Sequence, residues 1–237
     1  EDNEDGTRSG GAEQAEDRIE DYLKIDQMEL EIGYGLIPLV DSNQGGDLLE
    51  RITMLRRQCA TELGIIVPPI RIRDNIQLQP NDYIVKVKGL EVGSGNLMMG
   101  SYLAMNPGEV SQQVSGIETI EPAFGLPALW ITESQKEIAE LSGYTVVELP
   151  AVLATHVTEI IKGNAGDILT RQDVKTLIDT VKRDNPTVVD ELLPSVLGFG
   201  ELQSVLTNLL SEKVSIRDLT TILEVLSDSA KITKEPT

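Results

Sequence analysis

The chain has 237 residues, 40% of them hydrophobic and 25% charged, which is enough apolar material to bury a core and too much for a wholly disordered chain. Its formal net charge of −19 opposes a polyphosphate or an anionic lipid surface, and no dense Lys/Arg run overrides it, so neither nucleic acid nor membrane is an expected partner of this stretch. A single cysteine excludes an internal disulfide, and no run of about 18 apolar residues or basic-then-apolar leader points to a span or a signal peptide.

Residues 1–26 hold ten acidic and three basic residues among scattered glycines, a composition that reads as a flexible acidic linker. From Met28 to Ile32 the sequence alternates with a period of two and predicts a half-buried strand, with Glu29 and Glu31 as charged edge residues. Asp47 stands ready to cap a helix in which Leu48, Leu49, Ile52, Leu55, Cys59 and Leu63 recur on one face, ended by Gly64 and the Pro68-Pro69 pair. Cys59 there is expected to be a buried structural thiol.

Ile70 to Arg73 alternates again, a turn follows at Gln79 to Asp82, and Tyr83, Val85 and Val87 then alternate with polar positions, so a hairpin of these two strands is expected. The glycine-rich stretch from Val92 to Gly100 reads as a loop before a short strand at Tyr102 to Met105. Arg71, Arg73, Asp74 and Asn75 read as a charged strand end with an Asx turn. Thr132 and Gln135 form a capping box for a helix stopped by Gly143, and a strand covers Tyr144 to Leu149. Pro150 opens a helix whose apolar arc is Leu153, Val157, Ile160 and Ile161, which leaves Thr155 outward. Beyond Gly166 the pattern is helical: a cap at Thr170 and Asp173, a helix after Gly200, and a last helix opened by Ser215 and Asp218. The fold class is therefore α+β, small mixed sheets with packed helices, followed by an all-helical part.

Catalytic groups are scarce. His156 and Glu159 lie three apart on one helix, but zinc takes at least three protein ligands, so the only histidine reads as an ordinary hydrogen-bonding residue. No phosphate loop, nucleophile elbow or metal cluster is present in the sequence, and no cofactor is expected. A binding surface leaves a different trace, namely aromatic groups in segments that lack periodicity. Phe124 and Trp130 both fall in the Pro- and Gly-punctuated stretch from Glu121 to Trp130. Trp130, next to Ile131, reads as a core anchor, while Phe124 is equally suited to pinning a loop or to presenting a contact.

The runs Ile32-Gly33-Tyr34-Gly35-Leu36-Ile37-Pro38-Leu39, Gly45-Gly46-Asp47-Leu48-Leu49, Ile70-Arg71-Ile72-Arg73-Asp74-Asn75, Glu121-Pro122-Ala123-Phe124-Gly125-Leu126, Tyr144-Thr145-Val146-Val147, Ala154-Thr155-His156 and Val214-Ser215-Ile216-Arg217-Asp218-Leu219 carry a resemblance. In order and spacing, from about Tyr22 to near the end, the chain resembles the cytosolic part of the large export-gate proteins of flagellar and virulence type III secretion systems, with wording closer to the flagellar branch. The resemblance implies a membrane anchor before the chain, a position at the cytoplasmic face of the bacterial inner membrane, and a homo-oligomeric ring, typically of nine subunits, beneath the export pore. It implies a discontinuous first subdomain at 27–99 plus 149–168, an inserted second at 100–148, a helical third at 169–237, and truncation before a fourth.

The implied role is that of a docking platform and not an enzyme. Export chaperone–cargo complexes and other components of the export apparatus are the implied partners, with Glu121, Phe124, Thr155 and, more weakly, Val147 as the chaperone-binding positions in a dimple between the first two subdomains. Two other readings remain open at this level: an enzyme acting on a small molecule in the inter-subdomain cleft, which a strongly perturbed titratable cluster would favour, and a purely structural ring element, which burial of Phe124 by a neighbour would favour.

Overall fold

The computed structural model describes residues 25–229, so the expected acidic linker lies almost wholly outside the described residues. β1 (Met28–Ile32) keeps the alternation of its sequence: Met28, Leu30 and Ile32 are buried, and Glu29 and Glu31 are half-buried on the other face. Two short 3-10 turns lead to α1 (Leu48–Leu63), which buries Leu48, Ile52, Leu55 and Cys59. Leu49, expected on that stripe, is exposed, because one residue along a helix is a rotation of about 100° away from it. Gly64 ends the helix at φ +79, and a Cβ there would sit 2.4 Å from Arg217 Cα, so both the turn and the packing require glycine.

The helix carries the chain back along the sheet, and β2 (Ile70–Asp74) lies parallel to β1. β3 (Asp82–Val87) pairs antiparallel on the other side of β1, with β4 (Leu90–Asn96) outside it, giving the order β2-β1-β3-β4. The expected hairpin of β2 with β3 is therefore wrong: β1 lies between them, and the hairpin is β3 with β4. Glu29 and Glu31 accordingly sit on a central strand and not at an edge. Glu31 takes hydrogen bonds from Lys86 and, at 2.8 Å, from Asn75; Arg73 reaches Glu29 at 3.7 Å, and Arg71 and Arg73 both bind Asp26. Asn75 Oδ1 accepts from Gln77 N at 2.8 Å, the expected Asx turn.

Of the stretch from Val92 to Gly100 expected to be a loop, the part up to Asn96 is instead the body of β4, and only 97–100 is the loop. The glycines of β4 serve close packing: a Cβ on Gly93 would lie 2.4 Å from Ile160 Cδ1, and one on Gly95 would lie 2.5 Å from Tyr83 Oη.

A second sheet contains β5 (Ser101–Met105), β6 (Ile117–Ile120), β7 (Pro127–Thr132) and β8 (Thr145–Val147) in the order β6-β7-β5-β8. α2 (Glu133–Leu141) starts at Thr132, whose N–H donates to Gln135 Oε1 at 3.0 Å. Leu103, Ala128 and Trp130 on one face join the main core with Leu153 and Val157 of α3 (Leu149–Gly163). Ala104 and Ile131 on the other face form a small cluster with Ala139 and Tyr144. The chain ends in helices: α4 (Ala165–Ile168), α5 (Arg171–Asp184), α6 (Pro186–Leu192), α7 (Phe199–Ser211) and α8 (Leu219–Ser229). α6 is an addition to the expected set. Ile216 N donates to Leu63 O at 2.9 Å and Ser215 Oγ to Glu62 O at 2.7 Å, so the helical region is anchored back onto α1. Among the described residues no helix is long and apolar enough to cross a membrane.

Candidate docking surface

The turn between β6 and β7 explains how an aromatic side chain comes to stand in water. Glu121 N donates to Leu126 O at 2.8 Å and Gly125 N to Glu121 O at 3.0 Å, while Gly125 takes φ +68 to close the loop. The Glu121 carboxylate turns inward, only 3% exposed, and accepts from Ala123 N at 2.9 Å and Phe124 N at 2.7 Å. A carboxylate with two backbone N–H donors is a charge-assisted clamp, and it fixes the backbone from which Phe124 projects. Phe124 is 60% exposed and Leu126 beside it is exposed as well. Trp130 is 5% exposed in the main core, so the two aromatics of this segment have opposite roles.

Glu121 was expected as an acidic contact beside Phe124. The structure places it beneath the loop, joined to Phe124 through the backbone, because a short turn with unpaired N–H groups needs an acceptor more than the surface needs another charge. Val147 on β8 is half-buried, packs against the main core and lies opposite Leu103, which in turn lies opposite Trp130 and that opposite Ile117. These four make one row across the α3-facing side of the sheet. Thr155 is exposed on α3, off the stripe of Val152, Leu153, His156 and Val157.

Beneath this surface lies a pair that the sequence did not join. Tyr83 Oη and His156 Nδ1 share a hydrogen bond of 2.7 Å, with the rings edge to face at 5.8 Å between centroids, and both residues are buried. Burial pushes the phenol's pKa up, and the negative charge of Glu121 adds to this; burial holds the imidazole below its ordinary value, against an opposing pull from Glu121. The pair links β3 to α3, within electrostatic reach of the clamp that holds Phe124. The only sequence signal for it was the inward position of Tyr83 in the alternation of β3. His156 is thus a core residue, and burial likewise pushes the Cys59 thiol up to about 11. Among the described residues no group of three or more His, Cys, Asp or Glu is placed to hold a metal.

A profile of the FHIPEP family matches residues 1–237. The chain belongs to the FHIPEP family. This FHIPEP chain is 54% identical over 213 residues to the flagellar biosynthesis protein FlhA of Bacillus subtilis, covering 90% of this chain and 32% of that protein. Against the FlhA of Escherichia coli it is 44% identical over 211 residues, 89% of this chain and 30% of the relative. It therefore spans about a third of the length of the curated relatives it matches. In fold it is similar to the Chlamydia pneumoniae CdsV protein, with a TM-score of 0.79 and 24% identity over 93% of this chain and 64% of that one. It is also similar to the nonameric SctV-C of EPEC, with a TM-score of 0.68 and 19% identity over 90% of this chain and 62% of that one. The resemblance read from the motifs and the family thus agree, as does the α+β fold class.

Proposed function

We propose that this chain is a docking platform in the cytosolic portion of a flagellar protein-export gate, where Phe124 on its clamped turn receives export chaperone–cargo complexes. The observation that carries the reading is the exposure of Phe124 on a backbone held by buried Glu121. A hydrophobic side chain kept rigid in water loses little entropy on binding, so its burial by a partner is turned efficiently into affinity. Thr155 and Val147 extend the contact on the α3-facing side, and Glu121 acts as a positioning residue.

The function is binding, not catalysis: the buried Tyr83–His156 pair is closed to a substrate, and the relatives of this family are flagellar biosynthesis proteins. The intact protein sits at the cytoplasmic face of the inner membrane and assembles as a ring, a reading supported by the nonameric state of SctV-C and by a fold shared with it. Other export components dock on the same ring, as the solved complex of CdsV with CdsO suggests by analogy.

A photo-crosslinking amino acid at position 124 of the full-length protein, with one at the still more exposed Leu90 as control, tests this. Crosslinks to export chaperones at 124 and not at 90 are expected; equal yields at both positions, or none at 124, contradict the reading.

A further inference from the structure

β6 is an edge strand. Among the described residues its one strand neighbour is β7, in the register Ile117 to Trp130, Glu118 to Leu129, Thr119 to Ala128 and Ile120 to Pro127. The direction of its backbone groups follows from the turn: Glu121 N points at β7, since it donates to Leu126 O, so by alternation Thr119 N also faces β7. The N–H and C=O groups of Glu118 and Ile120 therefore point out of the sheet, and among the described residues nothing bonds to them.

Edges of this kind are usually closed by a lysine, a proline, a bulge or a covering loop. β6 has no lysine, proline or bulge; at four residues it is short, and its one charge is Glu118. Its sequence, Ile117-Glu118-Thr119-Ile120, consists mostly of β-branched strand formers, with Ile117 57% and Ile120 63% exposed on opposite faces. Beside the edge, on the side away from α3, runs an open groove of about 870 Å3 whose lining includes Ala104, Val114, Ile120, Leu129 and Tyr144. Glu118 is the only charged residue that lines the groove among the described residues, and no Lys or Arg pairs with it there.

We propose that β6 receives an extended peptide segment of a partner protein as a fifth strand, with the peptide's backbone bonded to Glu118 and Ile120. The occupant alternates apolar with polar residues and carries a Lys or Arg opposite Glu118. Main-chain pairing supplies the affinity, the groove takes every second side chain, and the unpaired carboxylate selects a cation in a chain whose overall charge of −19 already attracts one. This surface lies at the opposite edge of the sheet from Val147 and does not use Phe124, so the inference stands apart from the docking surface above.

The probe is a fluorescein-labelled peptide of alternating valine with lysine and threonine, titrated by anisotropy, beside the same peptide with a central proline. Ile120→Pro removes an outward N–H while leaving the β7 ladder intact, and Glu118→Lys reverses the charge. Binding is expected for the wild-type chain and the alternating peptide, at least about tenfold weaker for each variant, and unchanged for Phe124→Ala. Amide exchange at Glu118 and Ile120 slows on binding, while that at Thr119, already bonded to β7, does not change. An absence of binding, equal binding by Ile120→Pro, or protection only at Phe124 overturns the proposal. So does self-association through β6 in sedimentation velocity that the peptide cannot displace.

Discussion

The two four-stranded sheets finish their surfaces in opposite ways. In the first, the face turned away from the core is covered by charge: Glu29 and Glu31 on β1 lie between Arg73 on β2 and Lys86 on β3, and Asp26 joins both arginines of β2. Paired neighbours of opposite sign leave little for a partner to gain. In the second sheet, Ile117, Ile120, Phe124 and Leu126 all remain exposed around one hairpin, although Trp130 in the same hairpin is buried. Residues of one chemical class thus occur buried and exposed a few positions apart in this hairpin, and that contrast is the ground for proposing the second sheet as the docking surface.

Substitutions sharpen this contrast. In the first sheet, Leu30→Ala on the fully buried β1 removes a core side chain and should lower stability by about 3 kcal/mol, read as a shift in the urea midpoint. Glu121→Gln keeps the shape of the clamp but removes its charge; a loss of about 1–2 kcal/mol is expected, with faster amide exchange at Ala123 and Phe124. Phe124→Ala, at the tip of that clamp, should change stability by less than about 0.5 kcal/mol while abolishing partner binding. The smallest effect belongs to an exposed pair in the helical region: Lys182→Met, which breaks the 2.6 Å contact with Asp190, should cost no more than about 0.5 kcal/mol.

Acid acts on two groups in different pH windows. The folded-state value of His156 is lowered by burial, so the unfolded chain takes up its proton first, and stability falls as pH drops below 6.5 towards the folded value. Glu31 is lowered as well, chiefly by its hydrogen bond to Lys86, so its contribution is present above 4.5 and is lost as pH falls through the lower folded value. Urea midpoints measured from pH 7.5 to 3.5 should show two declines. His156→Gln removes the first; Glu31→Gln reduces the second, to which Asp26, Asp41 and Glu62, also held below the usual carboxylate range, contribute.

Much of this was legible in the sequence wherever a local pattern determined the outcome. The alternation of Met28 to Ile32, the stripe of α1 apart from Leu49, the caps at Thr132 and Thr170 and the outward position of Thr155 all follow from periodicity and capping chemistry. What failed depended on partners distant in sequence. A strand, a sixteen-residue helix and a strand make a parallel pair as readily as two nearby strands make a hairpin, and the insertion of β1 between β2 and β3 is a tertiary choice. Gly93 looked like a loop residue because Ile160, the side chain it makes room for, lies far along the chain, and Gly95 because its neighbour Tyr83 was expected in a hairpin of β3 with β2 and not with β4. The site was half legible: Phe124 was singled out by its lack of periodicity, but the inward turn of Glu121 depends on two N–H groups that only a closed turn leaves without partners.

The most direct test of the central claim is a calorimetric titration of this chain with export chaperone–cargo complexes from its own organism, wild type beside Phe124→Ala. The account predicts binding by the wild type and none by the variant, with the two proteins equally stable in urea. Equal affinity for both would contradict it and leave the exposed Phe124 without a docking role.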